Sequence, residues 1–188
     1  MKRIVTLIIV VSTLFSATTY AQLEIGASYE LRDEDPQSGF GVRIEKGFLE
    51  QLPLVKISMR AHFSFFNDEN QVDEGGLTYS QDLTNYDFGL AFIAGISVGL
   101  IEPYVGLGLG STTLEVKNDF SSSLPGVGPM EDQNESNIYW NGFLGAKVSI
   151  IPMIKPFVEY RYSDTSLSEP EVAEVRTGRI IFGVMLSF

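Results

Sequence analysis

The chain has 188 residues, no cysteine, and 24 acidic against 13 basic side chains, for a formal charge of −11. That length suits one domain, and the acidic balance excludes a general nucleic-acid binder, which needs a basic face to displace phosphate counterions. Without cysteine there is no disulfide framework, no thiolate nucleophile and no Cys-ligated metal centre, and a single histidine excludes a multi-His site. A mean hydropathy of +0.10 is too low for a helical membrane bundle, yet 18 Gly, 13 Phe and 8 Tyr are many for a soluble acidic enzyme.

Residues 1–21 read as a cleaved signal peptide. Lys2 and Arg3 form a positive start, and Ile4 to Phe15 is an apolar stretch. Ser16 to Ala21 closes with small residues at −3 and −1, Thr19 and Ala21. The apolar stretch is too short to cross about 30 Å of hydrocarbon. The mature domain is then 22–188. It has no run of about 20 apolar residues, so a transmembrane helix is excluded. A closed barrel remains open to it, because a barrel pairs every backbone group internally.

The mature chain alternates with period two in eight successive runs. The first sets Leu23, Ile25, Ala27, Tyr29 and Leu31 against Glu24, Ser28, Glu30 and Arg32. The second sets Phe40, Val42 and Ile44 against Arg43 and Glu45. The third sets Val55, Ile57, Met59, Phe63 and Phe65 against Lys56, Arg60, His62 and Ser64. The fourth sets Tyr86, Phe88, Leu90, Phe92 and Ile96 against Asp87, Gly89 and Gly95. The fifth is glycine-rich, with Val105, Leu107 and Leu109 against Tyr104, Gly106, Gly108 and Gly110. The sixth sets Trp140, Leu144, Ala146 and Val148 against Asn141, Gly145 and Lys147. The seventh sets Val158, Tyr160 and Tyr162 against Glu159, Arg161 and Ser163. The eighth sets Ile180, Phe182, Val184, Leu186 and Phe188 against Arg179, Ile181, Gly183 and Ser187.

These runs are about 9 to 14 residues long, as tilted membrane-spanning strands require, whereas soluble strands average nearer 5 or 6. Leu49–Pro53, Leu100–Pro103 and Ile151–Pro156 read as short turns. Asp33–Ser38, Asn67–Thr84, Lys117–Glu135 and Ser166–Glu174 read as loops, three of them long and acidic. Short turns at one end and long loops at the other are the asymmetry of an outer-membrane barrel. The eight prolines all fall in connections or at strand ends, where no ladder hydrogen bond is lost. Ser121–Pro129, rich in Ser, Gly and Pro, reads as a mobile loop. Aromatics sort by height: Phe48, Tyr104, Phe157 and Phe188 near the short turns, and Tyr29, Phe65, Tyr86, Trp140, Tyr160 and Tyr162 toward the long loops, suggesting two interfacial girdles.

The last strand, with Phe182, Val184 and Leu186 at every second position before a terminal Phe188, resembles the closing strand of bacterial outer-membrane barrels. The resemblance implies that the barrel assembly machinery reads these residues as its signal. The whole mature chain resembles the small eight-stranded OmpA/OmpX-like barrels of the outer membrane protein beta-barrel grouping. It implies an all-β, eight-stranded antiparallel up-and-down transmembrane barrel in the outer membrane of a Gram-negative bacterium. Its partners would be the lipid bilayer and lipopolysaccharide; it would be a monomer with no cofactor.

The polar face then points into the lumen, carrying Glu24, Glu30, Arg32, Arg43, Glu45, Lys56, Arg60, Asp87, Lys147, Glu159, Arg161 and Arg179. Eight strands leave room for side chains only, so a salt-bridged plug is expected. The expected role is non-enzymatic, structural or surface-interacting through acidic loops. A low-conductance channel is the alternative, and a soluble lipocalin-like barrel with its faces reversed is the structural rival. His62 and Ser64 resemble the His-x-Ser pair of lipid A deacylases, but they face the predicted lumen, Phe65 stands where that family has Asn, and no orienting acid is adjacent in sequence. Asp68, Asn70 and Asp73 carry oxygen ligands suited to a hard cation, though Val72 breaks the calcium-loop pattern.

Overall fold

The computed structural model describes residues 23–48, 55–74, 77–120, 133–151, 153–165 and 176–188. The signal segment, the Leu49–Pro53 turn, and the Ser121–Pro129 and Ser166–Glu174 loops lie outside them. Eight strands follow in order: β1 (Leu23–Arg32), β2 (Ser38–Gly47), β3 (Val55–Glu74), β4 (Leu77–Ile96), β5 (Ile101–Phe120), β6 (Gln133–Val148), β7 (Ile154–Asp164) and β8 (Arg176–Ser187). Each pairs antiparallel with the next, and β1 pairs with β8, so the sheet closes into a barrel. The seam runs from Glu24↔Ser187 to Arg32↔Arg179.

The barrel is inside-out relative to a soluble one. Arg60 and Arg161 are fully buried in the lumen, while Phe40, Phe92 and Leu107 are about two-thirds exposed on the outer wall. The soluble rival therefore fails on the direction of its faces. On β4 the outward apolar residues run from Tyr86 to Ile96. Ten steps of about 3.4 Å, tilted near 40°, make a band roughly 25 Å tall, the height of an outer-membrane hydrocarbon core.

Strand bounds differ from the sequence reading at both ends. At the turn end, Val98 N donates to Ile101 O at 2.9 Å and Ile101 N returns to Val98 O at 3.2 Å, with Gly99 at φ 64°. The turn is thus Gly99-Leu100, where glycine supplies the positive φ of a two-residue hairpin, and Ile101–Pro103 belong to β5. The β4–β5 ladder breaks where Pro103 would face Ile96, because proline has no N–H to give. Pro156 ends the β6–β7 ladder in the same way, one step past Lys147↔Phe157. Glu102 and Lys155, which the sequence reading sets in turns, therefore sit in strands.

At the other end the ladders run on into segments that read as loops. β3 and β4 pair as far as Glu74↔Leu77, β4 and β5 as far as Tyr79↔Phe120, and β5 and β6 as far as Val116↔Gln133. The β2–β3 ladder stops at Gly39↔Phe66 and the β6–β7 ladder at Trp140↔Asp164. Four strands thus stand roughly 20 Å above the barrel wall. Among the described residues, no strand pairs with the outer edge of β3 there. Hydrogen exchange should show this: amides of Tyr79–Thr84, flanked on both sides, exchange slowly throughout, whereas in Asn67–Glu74 every second amide exchanges fast. Uniform fast exchange in both segments would contradict the pairing.

Candidate functional site

The lumen is filled by three layers of charge. Strand alternation aims every second residue inward, and eight strands bring those residues within reach of one another. At the turn end, Lys147 Nζ donates to Glu24 Oε2 at 2.5 Å and to Glu45 Oε2 at 2.6 Å. Lys155 Nζ donates to Glu24 Oε1 at 2.6 Å, and Lys56 lies 2.8 Å from Glu102 at the half-open rim.

The middle layer turns on Glu159. Its Oε2 accepts from Arg60 Nη1 at 2.5 Å, Arg43 Nη1 at 3.3 Å and the Tyr104 hydroxyl at 2.9 Å; its Oε1 accepts from Arg161 Nη2 at 2.8 Å. Arg60 Nε also donates to Glu45 Oε1 at 2.8 Å, joining this layer to the first. The guanidiniums stack on lumen aromatics, Arg43 at 4.3 Å from the Phe157 ring and Arg60 at 4.7 Å from Phe143.

Toward the long strands, Arg179 Nη2 donates to Asp87 Oδ2 at 2.5 Å, and the Tyr139 hydroxyl donates to Asp87 Oδ1. Glu30 Oε1 accepts from Ser64 at 2.9 Å and Ser28 at 3.1 Å. Arg32 donates to Pro36 O and to Asn85 Oδ1, with its guanidinium 3.8 Å from the Phe66 ring.

The structure thus gathers all twelve charged residues of the sequence reading on the inner wall, with Lys56 at the mouth. Sequence reasoning missed Lys155 and Glu102, hidden behind prolines. It also missed the apolar lumen residues Phe66, Phe143 and Met185, because each breaks the polar phase of its strand, whereas Ile181, read on the inner face, is buried there. Tyr104 and Phe157 do not belong to a girdle: both point inward and are buried. Space for these rings comes from glycine. A Cβ on Gly145 would lie 2.6 Å from the Tyr104 ring, and one on Gly106 2.2 Å from Phe143. Phe182, Val184, Leu186 and Phe188 lie on the lipid face of β8.

His62 and Ser64 are both buried in the lumen, but they do not form a relay. Ser64 donates to Glu30 instead. An acid does stand near His62, contrary to the sequence reading: Asp87 Oδ1 is 3.5 Å from His62 Nε2, with the Tyr139 hydroxyl at 3.2 Å. Strand pairing brings Asp87 close although it is distant in sequence, and Arg179 and Tyr139 already engage it. Asp68, Asn70 and Asp73 lie in strand rather than loop, and an extended chain sets the first and last roughly 17 Å apart. Among the described residues, no group of three or more acidic or histidine side chains is arranged to hold a metal ion.

Two cavities flank the plug. One of about 50 Å³ at the turn end is lined by Glu24, Lys56, Glu102 and Lys147. One of about 110 Å³ at the long-strand end is lined by Arg32, Asn85, Tyr139, Ser163 and Arg179. The Arg43–Arg60–Arg161–Glu159 layer lies between them.

A closed eight-stranded antiparallel barrel with an apolar outer wall and a charged, packed lumen is a small outer-membrane barrel. The match to the "Outer membrane protein beta-barrel domain" family over residues 7–188 agrees, and the chain belongs to that family. A comparison with curated protein sequences found no match. Among solved structures it is similar to Neisserial surface protein A, with TM-score 0.60 and 18% identity over 90% of this chain and 98% of that one. It is also similar to a major outer membrane protein of Thermus thermophilus, with TM-score 0.63 and 12% identity over 90% and 100%. The third, the Yersinia pestis attachment invasion locus protein Ail, in complex with the heparin analogue sucrose octasulfate, gives 0.55 and 15% over 89% and 97%.

Proposed function

We propose that this protein is a non-enzymatic, monomeric integral barrel of the outer membrane whose β3–β6 sheet stands outside the cell as a surface for cationic partners. The observation that carries this is the sheet itself. It continues past the barrel wall and bears Asp68, Glu69, Asp73, Glu74, Asp82, Glu115, Asp119 and Glu135 against Lys117. Such a field attracts cations over about a Debye length and repels polyanions. The charge is opposite in kind to what a heparin analogue would need. The short turns at the other end fit a periplasmic side. The outward residues of β8, ending in Phe188, serve assembly by the barrel machinery. The outer wall meets lipid, and the acidic rim contacts lipopolysaccharide through divalent ions.

The test is retention of a fluorescent oligolysine peptide by proteoliposomes bearing the protein. Wild type retains it at low salt and releases it as salt rises, and a variant with Asp68, Glu69, Asp73 and Glu74 changed to Asn or Gln retains several-fold less. Equal retention by both overturns the surface role. The filled lumen supports a second expectation: planar bilayers show only small, unstable conductance. A large, stable single-channel conductance from wild type would favour a channel.

A further inference from the structure

Charge is unevenly matched along the lumen. The turn-end layer sets Lys56, Lys147 and Lys155 against Glu24, Glu45 and Glu102. Above it, the guanidiniums of Arg32, Arg43, Arg60, Arg161 and Arg179 share Glu30, Asp87 and Glu159, with Glu45 already held by Lys147. On the inner wall that leaves two more positive charges than negative, before the exposed carboxylates of Glu34, Asp35 and Glu135 at the upper cavity are counted. The excess is concentrated on one wall: Arg32 faces Arg179 across β1–β8, and Arg179 faces Arg161 across β8–β7. Like charges directly opposite on neighbouring strands repel.

Three of the guanidinium donors without a partner, Arg179 Nε and Nη1 and Arg32 Nη2, belong to residues that line the 110 Å³ cavity. Arg179 lines it and is 3% exposed, yet its Nε and Nη1 have no hydrogen-bond partner. Glu30 Oε2 is 3.7 Å from Nη1, beyond hydrogen-bond reach. Ser163, 4% exposed, presents an unpartnered hydroxyl to the same space, and Arg32 adds Nη2. Arg32 is not free to turn away: Pro36 O at 2.7 Å, Asn85 at 3.0 Å and the Phe66 ring hold its plane. A buried guanidinium N–H without an acceptor is costly, and an anion accepts from several at once.

We propose that this cavity binds a small monovalent anion, of halide to acetate size, on Arg179, Arg32 and Ser163. The anion neutralises the arginine row and bridges β1, β7 and β8. Glu34, Asp35 and Glu135 line the same cavity and are exposed, so they oppose anion entry and weaken the site. The proposal stands apart from the role of the outer sheet.

Two measurements test it on refolded protein in detergent. In the first, wild type is melted in sodium chloride and in sodium gluconate at equal ionic strength; gluconate is much bulkier than the halide-to-acetate range of the site. The melting midpoint should be higher in chloride by about 2–4 °C and should rise with its concentration. Equal midpoints in the two salts overturn the proposal. In the second, the chloride NMR line should broaden saturably with wild type and Lys56→Met. It should lose most of that broadening with Arg32→Gln and with Ser163→Val, each checked for folding by heat-modifiable gel migration. Glu135→Gln should shift saturation to several-fold lower chloride. Folded Arg32→Gln and Ser163→Val variants that broaden the line like wild type would refute the site.

Discussion

Glu159→Gln lowers the stability of the barrel by about 3–5 kcal/mol, the usual cost of removing one partner from a buried ion pair. The substitution keeps the shape and removes the charge. Three buried guanidiniums, Arg43, Arg60 and Arg161, then lose the carboxylate they share. None of them reaches water, since all three are at most 2% exposed. The measurement is the urea midpoint at which the compact, fast-migrating gel band gives way to the unfolded one. Lys56→Met is the control. Its pair with Glu102 sits at a half-open rim, where an ion pair contributes about 0–1 kcal/mol. Equal shifts for the two variants would mean that Glu159 is not the centre of the plug.

A second large effect is expected at the seam. In Gly183→Ala, the added Cβ would lie 2.1 Å from the carbonyl oxygen of Ala27 and 2.8 Å from the Cα of Ser28. Both are backbone atoms of β1, the strand that β8 must meet to close the barrel. A flexible side chain can move aside at modest cost, but a paired strand cannot. The penalty should therefore exceed the roughly 1–3 kcal/mol of ordinary overpacking. Refolding yields should show the loss as a fall in the heat-modifiable fraction. Gly142→Ala should behave like wild type, because its Cβ would come no closer than 3.5 Å to a neighbour. If Gly183→Ala folds as well as Gly142→Ala, the seam is looser than this packing requires.

The barrel is legible wherever lipid meets one face of a strand and the lumen the other. There Phe40, Val42 and Ile44 alternate with Gly41, Arg43 and Glu45, and the period follows from the geometry of the pleat. The signal fades where the two faces meet similar surroundings. Asn67–Glu74 and Leu77–Thr84 carry polar residues in both phases of the pleat, so the strands read as loops. In the lumen, Phe66, Ile181 and Met185 occupy the polar phase because arginine stems and ring faces pack well against apolar groups. Charged residues of the inner wall can be assigned to a face, but not to partners. Glu159 meets Arg43 and Arg60 across more than ninety residues of chain, and only closure of the sheet fixes that meeting. Likewise the acid beside His62 is not visible from its neighbours in sequence.

Phe188 N donates to Leu23 O at 2.9 Å, so the first and last described residues touch. Topologically the folded chain is a ring with a single nick. A short linker across that nick, with new ends cut between β5 and β6, would keep every strand neighbour and every lumen pair. It would place Phe188 in mid-chain. Such a permuted barrel would show whether closing the β1–β8 seam depends on the order in which the strands are joined.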